Sequence, residues 1–232
     1  MKNSAFLKGM AHGIPIALGY LSVSFGFGIM AVKSGLSVLE STLISLTNLT
    51  SAGQAAGVEV IASGGTLAEM VLVQLTINIR YALMSLSLSQ KLDKNFTFPH
   101  RMAAAFGITD EIFGVCAAQK EPLTPLYMYG MILIAALGWT AGTFLGAFAG
   151  QLLPAPVSAA LGIVLYGMFL ALIVPPSRKE KSVLCVVLTA ALLSVICKYL
   201  VPKLSGGFAV ILCAVSASVL GALLFPRKEE SA

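Results

Sequence analysis

Six consecutive residues, Thr76-Ile77-Asn78-Ile79-Arg80-Tyr81, place a guanidinium and a carboxamide inside an apolar run from about Thr66 to Ser89. The run can cross a bilayer as one helix, since ~20 apolar residues suffice. Arginine at that depth costs about 2.5–3.5 kcal/mol on insertion scales, so it turns inward to a partner, a cavity or water. A guanidinium so placed can grip an anionic group with two parallel hydrogen bonds. A second stretch, Thr109-Asp110-Glu111, lies between Gly107 and Gly114. Adjacent carboxylates repel, and burial disfavours their charged form, so one of them can take up and release a proton. Both are candidate counter-charges for Arg80. A third stretch, Ser51-Ala52-Gly53-Gln54, interrupts an apolar run with small and polar residues. A helix broken there exposes an N-terminus whose amides and partial positive charge suit an anionic substrate group.

Each feature also has a structural reading. Arg80 can be a static ion-pair partner and Asn78 an interhelical hydrogen bond worth ~1 kcal/mol. The run around Ser51 can be an unbroken helix with a polar face. The two acids can sit in a wet vestibule if their segment ends early. Sequence alone leaves both sets open.

The chain that must position these groups has 232 residues, 57% hydrophobic and 11% charged. Soluble domains carry about 25% charged residues. The composition is that of an all-α, polytopic integral membrane bundle with six to eight membrane segments, one or two of them broken or re-entrant. A net charge of +5, spread over short loops, excludes a nucleic-acid surface and fits membrane orientation. Cys116, Cys185, Cys197 and Cys213 all lie in apolar stretches without a CxxC pair, and read as small hydrophobes. No H-E-x-x-H or G-x-S-x-G arrangement points to an enzyme, and no cofactor or metal is expected.

Segment one spans about His12–Val32, with Pro15 in its first turn, and is kept as a span rather than a cleaved signal. Capping boxes of the form S/T-x-x-E predict helix starts at Ser37–Glu40, Thr66–Glu69 and Ser177–Glu180. Segment two is expected to break near Ser51–Gln54. In segment three, Gln74, Asn78, Tyr81 and Ser85 share one stripe, while Arg80 lies in line with Thr76 and Met84. Segment four is short, from Pro99 to about Ala118. Segment five starts at Thr124-Pro125 and carries Gly138, Gly142, Gly146 and Gly150 at four-residue spacing, a stripe for close helix contact. Segments six to eight cover about Val157–Val174, Ser177–Tyr199 and Gly206–Phe225.

An echo links Ala17-Leu18-Gly19-Tyr20…Phe25 to Ala136-Leu137-Gly138-Trp139…Phe144. It suggests repeat halves 1–118 and 119–232 within one domain of residues 1–232. With segments two and four re-entrant, Lys2, Lys8, Lys91, Lys94, Arg101, Lys120, Arg178, Lys179, Lys181, Arg227 and Lys228 fall on one side. Lys33, Lys198 and Lys203 are left on the other. The positive-inside rule prefers that arrangement to eight full spans.

Pro15, Phe25-Gly26-Phe27-Gly28, Ser51-Ala52-Gly53-Gln54, Asn78-Ile79-Arg80-Tyr81 and Thr109-Asp110-Glu111, in that order, resemble the AzlC (azaleucine-resistance) family of bacterial branched-chain amino acid exporters. The resemblance covers nearly the whole chain. It implies proton-driven efflux of leucine, isoleucine, valine and methionine across the bacterial cytoplasmic membrane. It also implies a small AzlD-type membrane protein as partner. The chain departs from the family's usual residues after Asn-x-Arg, with Tyr81-Ala82-Leu83-Met84 there. An aliphatic amino acid is a zwitterion with an apolar tail. Arg80 or the Ser51–Gln54 break can hold its carboxylate, with Ser51, Gly53, Gln54, Asn78, Arg80 and Tyr81 as substrate-binding residues. Asp110, Glu111, Asn78 or Gln54 can accept from its ammonium, and Asp110 is the first choice for proton coupling, with Glu111 beside it.

Overall fold

A computed structural model describes residues 2–152, 154, 156–157, 167, 170, 173–201 and 204–226. Segment six lies almost wholly outside these, as do Lys203, Arg227 and Lys228. The described residues form helices α1 (Lys2–Lys33), α2 (Val38–Thr47), α3 (Ala52–Ala62), α4 (Leu67–Ser89), α5 (Phe98–Ala105), α6 (Asp110–Ala117), α7 (Pro125–Leu152), α8 (Lys181–Leu200) and α9 (Gly206–Leu224). Five of them, α1, α4, α7, α8 and α9, are long and apolar enough to cross a membrane. Contacts divide the chain into two compact units that interleave in sequence: residues 1–55 with 78–165, and 56–77 with 166–232.

The first unit is built on α1 and α7. An added Cβ on Gly138 would lie 2.5 Å from the Ala17 carbonyl oxygen, on Gly142 2.4 Å from that of Leu21, and on Gly146 2.0 Å from that of Phe25. Gly150 meets Ile29 and Val32 in the same way. Both series rise together, so the two helices run parallel and in backbone contact, as stripes of small residues allow in lipid. The echo of the sequence becomes a physical pair here, with the Tyr20 and Trp139 rings edge to face at 5.2 Å. Segment one is longer than the apolar pattern implied. Residues from Lys2 continue the helix, and Pro15 sits in its interior rather than its first turn. Lost backbone bonds of this kind are tolerated in membrane helices because neighbouring groups replace them.

Two interruptions insert against this pair. Ser37 and Glu40 form a complete capping box at the start of α2. The helix ends at Thr47, and Ser51 takes a left-handed conformation at φ 47° before α3 begins. The Gln54 side-chain amide donates to Ser45 Oγ at 3.0 Å. Nine residues of straight helix would separate the two by roughly 13–14 Å, so the helix is broken here. The second interruption is α5–α6. Expected as one short segment, it divides at Phe106–Thr109 into two eight-residue helices. Each is only about 12 Å long and cannot cross ~30 Å of hydrocarbon. Both ends of the insertion lie together: Lys91 Nζ donates to the Ala117 and Gln119 carbonyls, and the Asp93 amide donates to the Leu123 carbonyl at 2.9 Å. The α2–α3 turn is therefore entered from the end of α1, and the α5–α6 turn from the start of α7.

In the second unit, Glu69 is buried at 3% exposure and anchors the start of α9, accepting from the Ser205 hydroxyl and from the Gly207 amide at 3.1 Å. A carboxylate at a helix N-terminus meets free amides and the positive end of the dipole. Thr66 caps the Glu69 amide at 3.2 Å, but the Glu69 side chain serves α9, so the second capping box has only one of its two bonds among the described residues. The third box is absent. Ser177 lies in a helical stretch with its hydroxyl bonded to the Ile173 carbonyl at 2.8 Å, and α8 starts at Lys181 with Glu180 as N-cap. Pro175 and Pro176 lie inside that stretch, which covers 173–179, and the end of segment six falls outside the described residues.

The α1–α7 seam makes a direct prediction. Gly142→Val forces a side chain into the Leu21 carbonyl, and overpacking costs about 1–3 kcal/mol or more. Purified variant protein is expected to melt several degrees lower, while Gly19→Ala, with nothing within 4 Å of its added Cβ, melts like the parent. Equal melting of both variants would refute the close seam.

Candidate functional site

The polar groups of the first unit gather where the two interruptions reach α1 and α7. Arg80, on α4, forms a two-pronged ion pair through Nη1 with both carboxylate oxygens of Asp110, the first residue of α6. Its other amino group donates to the Tyr81 hydroxyl at 3.2 Å, and its guanidinium lies 4.7 Å from the Tyr81 ring centre. Glu111 does not join this pair. Its carboxylate is 2.6 Å from the Tyr20 hydroxyl, which is also 2.5 Å from Thr109 Oγ1. A phenol has one proton, and it goes to the carboxylate. Thr109, which caps the α6 amide of Ile112 at 3.4 Å, then supplies its own hydroxyl proton to the phenol oxygen. The local reason is capping: Thr109 is the N-cap of a helix whose first two residues are the acids, the favourable end of the dipole for both.

A second string lies on the other side of Tyr20. Trp139 Nε1 donates to Gln54 Oε1 at 2.9 Å, Gln54 Nε2 donates to Ser45 Oγ, and Ser45 shares a 2.7 Å hydrogen bond with Thr143. All four residues are buried. Gln54 therefore spends both ends of its amide as a strut between α2 and α7. Ser51 lies in the turn before it and Gly53 in the first turn of α3. The Gly53 amide bonds back to the Thr50 carbonyl at 3.2 Å, and the hydroxyls of Thr50 and Ser51 are buried with no hydrogen-bond partner among the described residues. Asn78 is half-buried on α4, two residues before Arg80.

Of the residues singled out by sequence, Arg80, Tyr81 and Asp110 meet directly. Glu111 joins them through its neighbour and Tyr20, and Gln54 joins Tyr20 through Trp139. Thr76, aligned with Arg80 in the helical register, only back-bonds to the Leu72 carbonyl at 2.8 Å. Gly138, Gly142, Gly146 and Gly150 lie along α1. Sequence reasoning missed Tyr20, Ser45, Trp139 and Thr143 as polar members. The signal was present, since Tyr20 and Trp139 were the aromatic pair with polar atoms at matching places in the echo.

Removing one partner of a buried bond costs more than removing both. Trp139→Phe leaves the Gln54 carbonyl oxygen unsatisfied and is expected to lower stability by about 1–3 kcal/mol. Gln54→Leu added to Trp139→Phe should recover part of that loss. Thermal melts of the purified variants measure both, and a purely additive double variant would contradict the strut.

Comparison with known proteins places this geometry. A sequence model of the AzlC protein family matches residues 15–153, which hold every residue of this polar site. An uncharacterized membrane protein of Archaeoglobus fulgidus is 32% identical over 176 residues, 75% of this chain and 77% of that one. Inner membrane protein YgaZ of Escherichia coli is 31% identical over 198 residues, 82% of this chain and 79% of that one. An uncharacterized membrane protein of Helicobacter pylori is 26% identical over 151 residues, 63% and 65% of the two chains. No solved structure matches. With its helical membrane fold and a family match across the whole of the polar site, the chain belongs to the AzlC protein family.

Proposed function

We propose that this chain is the large subunit of a two-component secondary transporter, exporting leucine, isoleucine, valine and methionine across the cytoplasmic membrane in exchange for protons. The small partner in this reading is an AzlD-type membrane protein. The observation that carries it is the Arg80–Asp110 pair. Its side chains keep 42% and 37% of their surface uncovered, and hydrocarbon cannot be what meets that surface. An open ion pair at membrane depth is instead wetted or liganded.

A zwitterionic amino acid carries the same two charges in one molecule. Its carboxylate can take the guanidinium of Arg80, and its ammonium the carboxylate of Asp110, so substrate and ion pair compete for the same groups. Protonation of Asp110 removes the acceptor of the ammonium and favours release, which ties export to proton entry. Glu111 is held by Tyr20 at the wall. The Ser51 turn offers unpartnered hydroxyls beside the start of α3 as a second place for a carboxylate.

Orientation follows from charge. Lys8 pairs with Glu121 at 3.4 Å and Lys91 holds the end of α6, so these lysines, with Lys94, Arg101 and Lys120, mark one end of the first unit. The positive-inside rule makes that end cytoplasmic. The rival reading, a non-transporting assembly subunit using the glycine stripe of α7 as its interface, loses that surface to α1.

Cells preloaded with a leucine-containing dipeptide test the proposal. Expression with a candidate small partner should raise leucine efflux severalfold over the chain alone. Asp110→Asn should abolish the proton-driven part while the protein stays in the membrane. Arg80→Lys should lose at least tenfold in transport, because a point charge replaces a planar fork. Undiminished pH-driven efflux from Asp110→Asn would sink the coupling role, and no efflux from any combination would remove branched-chain substrates.

A further inference from the structure

An open groove of about 460 Å³ runs between the last turns of α4 and α5, within the first unit. Its walls are mostly apolar, with Leu86, Met102, Ile108 and Met128 among them, and Arg101 is the one charged residue in its lining. Arg101 sits in the first turn of α5, at the cytoplasmic end, where its Nε donates to the Phe96 carbonyl at 3.2 Å. That bond fixes the guanidinium and leaves its two amino groups for a ligand. No carboxylate lies within ion-pair distance of it among the described residues. The nearby connection carries Lys91, Lys94 and Asp93, and Asp93 is occupied by Asn95. The local balance is therefore positive.

The groove opens sideways. Leu86 is 65% exposed and Met102 60%, so hydrocarbon can enter along its length. The polar end of the groove is at Arg101 in the first turn of α5, and the lining becomes apolar toward Ala105 and Ile108. That gradient matches an amphiphile with an anionic head. It does not match a zwitterion, because no acid lines the groove to receive an ammonium. Ser89 spends its hydroxyl on the Leu86 carbonyl at 2.6 Å.

We propose that this groove binds an anionic phospholipid of the cytoplasmic leaflet, with one acyl chain along α4 and α5 and the phosphate on Arg101. Basic pockets between membrane helices on the cytoplasmic side recognise lipid head groups in this way. The site is separate from the Arg80–Asp110 pair, and its existence does not depend on what the protein transports.

Native mass spectrometry of the purified full chain, exchanged against phosphatidylglycerol or phosphatidylcholine, tests it. The parent protein should retain phosphatidylglycerol with a roughly fivefold preference, as one cation at the surface supplies. Arg101→Gln should remove the preference and Arg101→Lys should keep most of it. Ala105→Trp, which fills the inner end of the groove, should lower retention of phosphatidylglycerol with helix content unchanged by circular dichroism. Equal retention of the two lipids by the parent, or a preference that survives Arg101→Gln, would overturn the proposal. So would displacement of bound phosphatidylglycerol by millimolar leucine, which would make the groove an entry path for substrate.

Discussion

Backbone contact between α1 and α7 is the constraint on which the first unit rests. Glycines at 138, 142 and 146 leave no room for side chains, so the two helices lock at one separation and one register. That register sets Tyr20 against Trp139, and each aromatic ring then presents a single polar atom to one of the two turns. The Trp139 indole fixes Gln54, and through it α2; the Tyr20 hydroxyl fixes Glu111, and through it the start of α6. A shift of one residue along the seam would rotate both rings away from their partners, since neighbouring helical positions differ by about 100°.

The arrangement also answers a membrane's main demand, that backbone polar groups away from helices be satisfied by protein or water. Neither turn is left to lipid. The α2–α3 turn bonds to itself through Asn48, whose side-chain oxygen takes the Thr50 amide at 2.9 Å. The α5–α6 turn is closed by Thr109. What remains open is chemical rather than structural: an ion pair with uncovered surface, and, among the described residues, buried hydroxyls without partners at Thr50 and Ser51 in the turn and at Ser24 and Thr140 on the helices. Residual polarity in an otherwise satisfied interior is where a polar ligand gains most.

Much of this was legible in the chain. Arg80 stood out because a cation in an apolar run is costly, and the Ser51 break because small polar residues at depth need partners. The capping boxes succeeded where local chemistry decides, as at Ser37, and failed at Ser177, where helical backbone from Ile173 onward had already taken the hydroxyl. Segment four looked continuous because Phe106-Gly107-Ile108 is apolar, and only the packing of Gly107 against Ile132 marks its turn. The pairing of Tyr20 with Glu111 and of Trp139 with Gln54 could not be read, since both join positions far apart and depend on the three-dimensional register of α1 on α7. Glu69 likewise passed as a local cap while serving a helix over 130 residues later.

The distances along the chain between these partners bear on how the protein is made. Gln54 finds Trp139 only 85 residues later, and Ser45 finds Thr143 only 98 residues later. At synthesis rates of about 5–20 residues per second, the α2–α3 turn waits on the order of 5–20 s for the helix that satisfies it. During that interval its polar groups cannot rest in lipid. The nascent chain must keep this turn in the insertion machinery or at the water interface until α7 emerges, so truncation before α7 should leave a product for quality control rather than a partial membrane fold.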